Sequence, residues 1–424
     1  MSDKSRKPKW WVPSLYFAEG LPYVAVVTVS VIMYKRLDIS NAAIAFYTSW
    51  LYLPWVIKPV WSPIVDLLKT RRQWILLMQL MLGAGFAAVA LSLPTDDLFR
   101  YSLAAFCLLA FSSATHDIAA DGLYILGLDD HQQAWWVGIR NTFYRLAMIT
   151  GQGLLVMLAG YLETSTADIP LAWSIVFYLL AGVFVLSYAW HRFALPRPAG
   201  DIDGRADSLA ALARGFVTTF AAFFRKKHVA VVIAFLLLYR FAEAQLTKMA
   251  APFLLDERAV GGLGLGTADV GLTYGTVGML SLTVGGILGG FIAARDGLKR
   301  WLWWMVAAIN LPNVVYLLLA LLQPESLVLI NIAVGVEQFG YGVGFTAYTL
   351  YMIYVSRGEH STAHFAICTG FMALGMMIPG MFSGDLQTWL GYETFFLWVL
   401  LATVPSFIVA ALIPLDASFG RKKD

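Results

Sequence analysis

The chain has 424 residues, of which 59% are hydrophobic and 13% are charged, and its mean hydropathy is +0.68. Soluble domains carry roughly 25% charged residues, so the composition excludes an ordinary soluble protein and predicts a helical protein that crosses a membrane repeatedly. The net charge of +3 does not indicate nucleic-acid binding, because the basic residues cluster in loops beside apolar runs. The cysteines, Cys107 and Cys368, fall inside apolar runs and predict neither a disulfide nor a metal site.

Apolar runs of about 20 residues, the length that a helix needs to cross a bilayer, recur along the chain. They predict twelve spans, near 12–34, 43–64, 74–93, 100–127, 135–160, 170–194, 228–255, 268–294, 300–322, 326–355, 362–389 and 393–415. Basic residues concentrate in alternate loops and at both ends of the chain, and the remaining loops are mainly acidic. The positive-inside rule then predicts that both termini are cytoplasmic. Lys35 and Arg36 oppose this orientation but are outnumbered.

The composition changes over 195–227, where proline, glycine and acidic residues interrupt the apolar pattern. This segment is predicted to be a cytoplasmic linker between an N-terminal six-helix bundle, 1–194, and a C-terminal one, 228–424. Within it, 209–224 has the pattern of a short amphipathic helix that lies on a membrane surface.

The two predicted bundles resemble each other in sequence. Phe17-Ala18-Glu19-Gly20 returns as Phe241-Ala242-Glu243-Ala244, and further matches follow in the same order with offsets between 224 and 230. A collinear series of this kind predicts a duplicated six-helix unit. Two parallel halves of six spans describe the major facilitator architecture, so we expect an all-α membrane protein of that fold.

The loop after the second predicted span is similar to the major facilitator signature in which an acid and basic residues tie neighbouring cytoplasmic helix ends. The residues that carry this similarity are Asp66, Arg71 and Arg72 in the first half and Asp296 and Arg300 in the second. The similarity implies a cytoplasmic gate. The alternative is that these basic residues only set the orientation in the membrane.

Charged and polar side chains interrupt the fourth and fifth predicted spans: His116, Asp117, Asp121, Tyr124, Arg140, Asn141 and Arg145. Asp117 and Asp121 are four residues apart and share a helical face. An isolated charge at membrane depth costs at least ~2.5–3.5 kcal/mol, so acids on one span are expected to pair with arginines on the next. The group predicts a transport pathway, and the alternative is a set of ion pairs that only lock two helices together.

Glu19 lies about 10 Å inside the first predicted span, with Tyr16 and Tyr23 on the same face and Pro22 in position to bend the helix. Because burial favours the neutral form of a carboxyl group and nearby arginine favours the charged form, such a group can bind and release a proton. Glu19 is the principal candidate for proton coupling, and Glu243 and Asp117 are the others.

The second half carries a matching set of polar residues within its spans: Arg240, Glu243, Lys248, Asn313, Glu337 and Gln338. Together with the first set they predict a cavity with charges of both signs and aromatic side chains. Such a cavity suits a zwitterionic or sugar–peptide substrate better than a lipid.

Four segments, 16–22, 58–66, 114–122 and 144–148, resemble the AmpG-like permeases, which belong to the peptide/acetyl-coenzyme A transporter branch of the major facilitator superfamily. The resemblance implies import of anhydro-muropeptides from cell-wall turnover across the inner membrane by proton symport. His116 departs from the family pattern, in which glutamine stands beside the aspartate.

We therefore expect a multi-pass inner-membrane importer that acts as a monomer in the lipid bilayer, with protons and a small molecule as its partners. No enzymatic motif and no requirement for a cofactor, a metal or nucleic acid is predicted. Two alternatives stay open at this point. One is an importer of a ferric siderophore or another organic anion, and the other is a membrane receptor that binds its ligand without moving it.

Overall fold

A computed structural model describes residues 7–198, 200–201, 209–358, 361–416 and 419–420. The α-helices in chain order are α1 (Val12–Val24), α2 (Ser30–Arg36), α3 (Asn41–Trp50), α4 (Leu53–Leu68), α5 (Arg71–Ser92), α6 (Leu98–Gly127), α7 (Asp130–Ile149), α8 (Val156–Thr166), α9 (Ile169–Ala194), α10 (Leu209–Phe224), α11 (Val229–Leu238), α12 (Phe241–Leu255), α13 (Thr267–Val270), α14 (Met279–Asp296), α15 (Leu298–Asn310), α16 (Val314–Leu322), α17 (Leu327–Ser356), α18 (Ser361–Leu401) and α19 (Val404–Leu412).

Ten continuous helical stretches among the described residues are long and apolar enough to cross a membrane. They agree with the predicted spans except at two places. The predicted span 43–64 is divided at Leu51–Tyr52 into α3 with 10 residues and α4 with 16, each shorter than the roughly 20 that a span needs. The last two predicted spans are joined in one stretch, interrupted at Gly391, where φ is +74°. A total of twelve spans stays a prediction.

Three of the spans contain a π-helical turn. The first turn, Ala25–Val29, begins three residues after Pro22, where the sequence predicted a bend. Proline lacks an N–H donor and disturbs the helical hydrogen-bond ladder, which explains a change of register at this point. The others are Thr150–Leu155 and Gly271–Gly278. Such turns occur frequently near functional sites.

One compact unit comprises Met1–Met33 and Ile57–Phe216. Within it, α1 and α7 approach closely through glycines. A Cβ atom at Gly20 would lie 2.8 Å from Cβ of Ala147, and one at Gly151 would lie 2.2 Å from Cγ1 of Val24. This close packing fixes the register in which α1 faces the polar residues of α7.

The other compact unit comprises Tyr34–Val56 and Val217–Asp424. In it α14 packs against α17 backbone to backbone, since a Cβ at Gly285 would lie 2.1 Å from the carbonyl oxygen of Phe339. The linker helix α10 has the predicted bounds, and Cys107 and Cys368 are both free thiols. The predicted bundle boundaries at 194 and 228 stay predictions, because the compact units divide the chain differently.

Candidate functional site

Five of the polar residues predicted for the first half meet on three helices of the first compact unit, and Lys58 of a fourth helix joins them. Tyr16 and Glu19 lie on α1, Lys58 on α4, Asp117 and Asp121 on α6, and Arg140 on α7. We call these six residues the first-half cluster. The four-residue spacing of Asp117 and Asp121 on α6 aims both carboxylates in one direction.

Asp121 forms the expected ion pair with an arginine of the next span. Arg140 Nη1 lies 3.0 Å from Asp121 Oδ1 and also donates to the Tyr16 hydroxyl at 3.0 Å. The Tyr16 hydroxyl donates in turn to Asp121 Oδ1 at 3.0 Å. The Arg140 guanidinium lies over the rings of Tyr16 and Tyr124, 4.4 and 5.1 Å from their centroids. The two rings, the ion pair with Asp121 and the hydrogen bond to Tyr16 hold this arginine in one position.

Asp117 forms an ion pair and hydrogen bond with Lys58 of α4. The sequence analysis did not include Lys58 among the candidate site residues. A signal was available, because Lys58 is a lone charge inside the apolar run of α4 and lies between Pro54 and Pro59. A charge in such a run needs a partner of opposite sign.

Glu19 completes a group of three carboxyl groups. The side chains of Glu19, Asp117 and Asp121 each bring an oxygen within 4.8 Å of the other two. Glu19 is only 7% exposed, and its Oε2 atom has no hydrogen-bond partner among the described residues. Lys58 and Arg140 neutralise two of the three acids, so the fully ionised cluster keeps one excess negative charge. A single proton would remove that charge.

His116 belongs to a different hydrogen-bond network on the side of α6 that faces α5 and α9. Its Nε2 atom lies 3.2 Å from Gln79 Nε2, and the same amide lies 2.7 Å from Nδ1 of His191. His191 Nε2 is 2.9 Å from the Ser14 hydroxyl. His116, Gln79 and His191 are all fully buried. Gln79 and His191 were not predicted as site residues, because their contacts with His116 depend on how α5, α6 and α9 pack together.

The other first-half candidates surround the cluster. Tyr124 is buried and its hydroxyl donates to the carbonyl of Gln133 at 2.5 Å. Tyr23 and Arg145 are half-buried, whereas Asn141 is exposed. Arg145 was expected to share in pairing Asp117 and Asp121. The ion pairs that hold these acids run to Lys58 and Arg140.

In the second compact unit, two glutamates are buried with one oxygen bonded and one oxygen unpaired. Thr247 donates to Glu243 Oε1 at 2.7 Å, and Gln338 donates to Glu337 Oε2 at 3.0 Å. Glu243 Oε2 and Glu337 Oε1 have no partner among the described residues. Glu243 therefore shares one feature with Glu19 at the repeated position, a buried carboxyl oxygen without a partner among the described residues.

The remaining second-half candidates differ in their contacts. Arg240 donates to the Tyr341 hydroxyl. Lys248 is 5% exposed and donates to the Thr48 hydroxyl at 2.9 Å. Asn313 is 1% exposed, and neither polar atom of its amide has a partner among the described residues. Unpaired buried amide and carboxyl groups are unusual in proteins and are typical of sites that bind a ligand or water.

The first predicted gate loop precedes α5. The backbone N–H groups of Arg71 and Arg72 donate to the carboxylate of Asp201, at 2.8 and 3.2 Å. A Cβ at Gly122 would lie 2.1 Å from Nε of Arg71, so the Arg71 side chain passes directly over the glycine that follows Asp121. The side chain of Asp66 lies outside the described residues.

The second predicted gate loop lies between α14 and α15. Asp296 accepts hydrogen bonds from Arg295 at 2.9 Å and from Trp301 at 2.8 Å, and Arg300 lies 4.0 Å away. All three partners belong to the same loop or its flanking helix ends. Asp296 therefore holds the end of α14 to the start of α15.

A further polar cluster in the second compact unit involves Lys35, the residue that opposes the predicted orientation. Lys35 Nζ lies 2.5 Å from Asp256 and 2.9 Å from the amide oxygen of Asn41. Asn41 also donates to Gln387 at 2.8 Å, and Tyr392 donates to Asp256 at 2.6 Å. Through its pair with Asp256, Lys35 connects the end of α2 to the end of α12.

The fold and the charged clusters inside its helices define a class of membrane transporter. The Major Facilitator Superfamily profile matches residues 14–379, and the chain belongs to this family. It is therefore a multi-pass membrane transporter rather than an enzyme.

The solved nucleoside transporter NupG has the same fold, with a TM-score of 0.69 and 15% identity, covering 95% of this chain and 99% of that one. A solved POT family transporter in complex with a thioalcohol-conjugated peptide gives a TM-score of 0.70 with 11% identity, covering 95% of each chain.

Within the family, the chain is similar to permeases of the AmpG type, as the four segments of the sequence implied. It is 25% identical to the anhydromuropeptide permease of Escherichia coli over 415 residues, which cover 97% of this chain and 80% of that protein. It is 24% identical over 404 residues to a Rickettsia conorii protein assigned as transporter AmpG 4, covering 93% of this chain and 94% of that one.

Proposed function

We propose that the protein is a proton-coupled importer of anhydromuropeptide-like cell-wall fragments in the inner membrane. The observation that carries this proposal is the first-half cluster, in which three carboxyl groups share two basic partners on four helices of the first compact unit. The similarity to the Escherichia coli permease supports the substrate class.

Glu19 takes the coupling proton in this proposal. Asp117 and Asp121 each have a basic partner, whereas the Oε2 atom of Glu19 has none among the described residues. A proton on Glu19 makes the cluster neutral, and the absence of net charge lowers the cost of enclosing it in a low-dielectric interior. Release follows when water reaches the cluster from the other side.

An anionic group of the substrate binds at Lys58 and Arg140, which are the cations already placed at the carboxylates. A substrate carboxylate competes with Asp117 or Asp121 for these partners. The displaced acid loses its counter-charge, and its negative charge adds to the repulsion that favours the proton on Glu19. Binding of the anion and binding of the proton are therefore coupled through the same cations.

The second-half residues bind the uncharged and cationic parts of the substrate. Asn313, Glu337 and Glu243 offer unpaired amide and carboxyl groups to sugar hydroxyls, peptide amides or an ammonium group. Gln338, Arg240 and Lys248 complete this set. The loops with Asp66, Arg71 and Arg72 and with Asp296 and Arg300 serve as the cytoplasmic gate.

An uptake panel tests the proposed substrate class. Purified protein is reconstituted in proteoliposomes with an inward proton gradient, and labelled anhydromuropeptide or a labelled ferric siderophore is added outside. Protein-free vesicles with each compound are the control. We expect concentrative uptake of the anhydromuropeptide alone. Uptake of the siderophore alone would indicate an importer of organic anions. Saturable binding without uptake of either compound would indicate a receptor.

A further inference from the structure

A separate cavity of about 430 Å³ lies at one end of the second compact unit. Its walls come from the end of the linker helix α10, the start of α11, the end of α17 and the segment after α19. None of the candidate transport residues lines it. Its volume is within the range of roughly 300–1,000 Å³ that is typical of small-molecule sites.

The rim of this cavity is basic. Lys226, Lys227, His228 and Arg357 line it, against one acid, Asp416. Lys226 donates to the carbonyl oxygens of Val355 and Arg357, at 2.5 and 3.1 Å, so it caps the end of α17. Lys227, His228 and Arg357 are exposed and add the charge that an anion would meet.

Arg357 is oriented by an aromatic contact. Its guanidinium group lies 4.4 Å from the centroid of the Phe419 ring and 5.7 Å from that of Tyr354. A guanidinium that lies over an aromatic ring keeps N–H donors for an anion. This geometry is suited to the two oxygens of a phosphate.

The floor of the cavity is apolar with one buried hydroxyl group. Phe223 and Tyr351 are fully buried, and Val232 is 4% exposed. The Tyr351 hydroxyl has no hydrogen-bond partner among the described residues. Contact of the Tyr351 ring with Phe235, 4.6 Å between centroids, holds this hydroxyl in place. An unpaired buried hydroxyl is costly unless a ligand or water accepts its hydrogen bond.

We propose that this cavity binds the headgroup of an anionic phospholipid. The phosphate lies against Lys227, His228 and Arg357, an ester or glycerol oxygen accepts from Tyr351, and the first carbons of the acyl chains lie along Phe223 and Val232. The lipid is favoured over free phosphate because the floor is apolar and because α11 begins its span at Val229, on the cavity wall. Basic pockets between membrane helices on the cytoplasmic side commonly bind such headgroups.

This site is independent of the proposed transport function. A bound lipid would contact both the linker segment that carries Lys227 and the end of α17 that carries Arg357. It would therefore stabilise the packing of the linker on the second compact unit.

Native mass spectrometry and thermal unfolding of the full chain in detergent test the proposal, with phosphatidylglycerol, phosphatidylcholine or inorganic phosphate added. We expect phosphatidylglycerol alone to bind and to raise the unfolding temperature. The variant Lys227→Gln/Arg357→Gln should weaken this binding by about 25-fold, since each basic residue near an anionic lipid contributes about fivefold. Arg225→Gln is the matched control, because Arg225 is exposed nearby and does not line the cavity.

Tyr351→Phe removes the hydroxyl group without changing the shape of the floor. It should weaken phosphatidylglycerol binding several-fold with the fold intact. Equal binding of the two phospholipids, an equal loss in Arg225→Gln, or unchanged lipid affinity in Tyr351→Phe would overturn the proposal. Stabilisation by inorganic phosphate to the same extent would indicate that the cavity binds a soluble phosphate compound instead of a lipid.

Discussion

At the scale of single residues, the proposed proton coupling depends on which carboxyl group of the first-half cluster takes the proton. Glu19 is the acid whose Oε2 atom has no partner among the described residues, and it is 7% exposed. Asp117 and Asp121 each have a cation within ion-pair distance. The excess charge of the cluster is therefore assigned to Glu19.

Glu19→Gln is predicted to uncouple transport from the proton gradient. Glutamine has the shape of the protonated acid and cannot release a proton, so exchange of substrate should continue while accumulation falls to the equilibrium level. Parallel measurement of substrate affinity, counterflow exchange and gradient-driven uptake checks this. Glu243→Gln, at the repeated position, is the comparison: it should weaken substrate binding but leave uptake coupled to the gradient. Accumulation at the normal level with glutamine at 19 would refute the assignment.

Lys58→Met is predicted to destabilise the protein and to reduce uptake. It leaves Asp117 without its cation, and an unpaired buried charge costs roughly 3–5 kcal/mol. The double variant Lys58→Met/Asp117→Asn removes both charges and should restore folding, seen as membrane level and unfolding temperature. Lys69→Met, at an exposed lysine of the adjacent loop, is the control.

The same double variant decides whether the Lys58–Asp117 pair belongs to the transport pathway. If the pair only locks α4 to α6, restored folding should bring restored uptake. The account predicts instead that uptake stays at the background level. Recovery of gradient-driven uptake in the double variant would show that the pair is structural.

The sequence predicted most of this cluster, and its errors have a physical cause. Asp121 and Arg140 could be paired in advance because acids and bases on consecutive spans are close in any helical bundle. The partner of Asp117 could not, because α4 and α6 are separated along the chain by α5, and contact between them depends on tertiary packing. Gln79 and His191 were missed for the same reason, since neither forms a pattern within its own span.

At the scale of elements, the first gate loop is connected to the cluster through α6. The side chain of Arg71 passes over Gly122, which follows Asp121 in the chain. A side chain at 122 would displace Arg71 without changing the number of basic residues in the loop. This position therefore separates the two interpretations of the loop.

Gly122→Ala is predicted to impair gating while leaving orientation and stability nearly unchanged. The added methyl group meets the flexible Arg71 side chain, which can move away, so the cost in stability is small. The move removes the contact of Arg71 with α6, and this loss should impair gating. Reporter fusions at the loops measure orientation, and uptake measures gating. Gly138→Ala is the control, because a Cβ there meets no atom within 4 Å. Normal uptake in Gly122→Ala would leave the loop with a role in orientation only.

The helices themselves were predicted to within a few residues wherever the apolar runs were uninterrupted. The predicted and observed helices differ where backbone geometry, rather than hydrophobicity, ends or interrupts a helix. Pro54 lies two residues after the division between α3 and α4, and proline favours the first turn of a helix over its interior. Gly391 has a positive φ that interrupts α18 within an apolar run, and hydrophobicity carries no information on such a break.

At the scale of the whole molecule, the chain is a transporter of the Major Facilitator Superfamily, and its proposed energy source is the proton gradient. The fold could be predicted from the duplicated sequence pattern because six spans repeated in parallel describe few architectures. The substrate could not be derived from the residues, because charges of both signs and aromatic rings suit many zwitterions. Only the AmpG-like segments narrowed the substrate class.

Measuring substrate-dependent proton entry tests the proposed proton coupling directly. Proteoliposomes carry a pH-sensitive dye in the lumen and have no initial pH gradient, and anhydromuropeptide is added outside. The account predicts acidification of the lumen on addition, in parallel with uptake of the labelled substrate, and no acidification with Glu19→Gln. Uptake of the substrate by the unmodified protein without any change in luminal pH would contradict it.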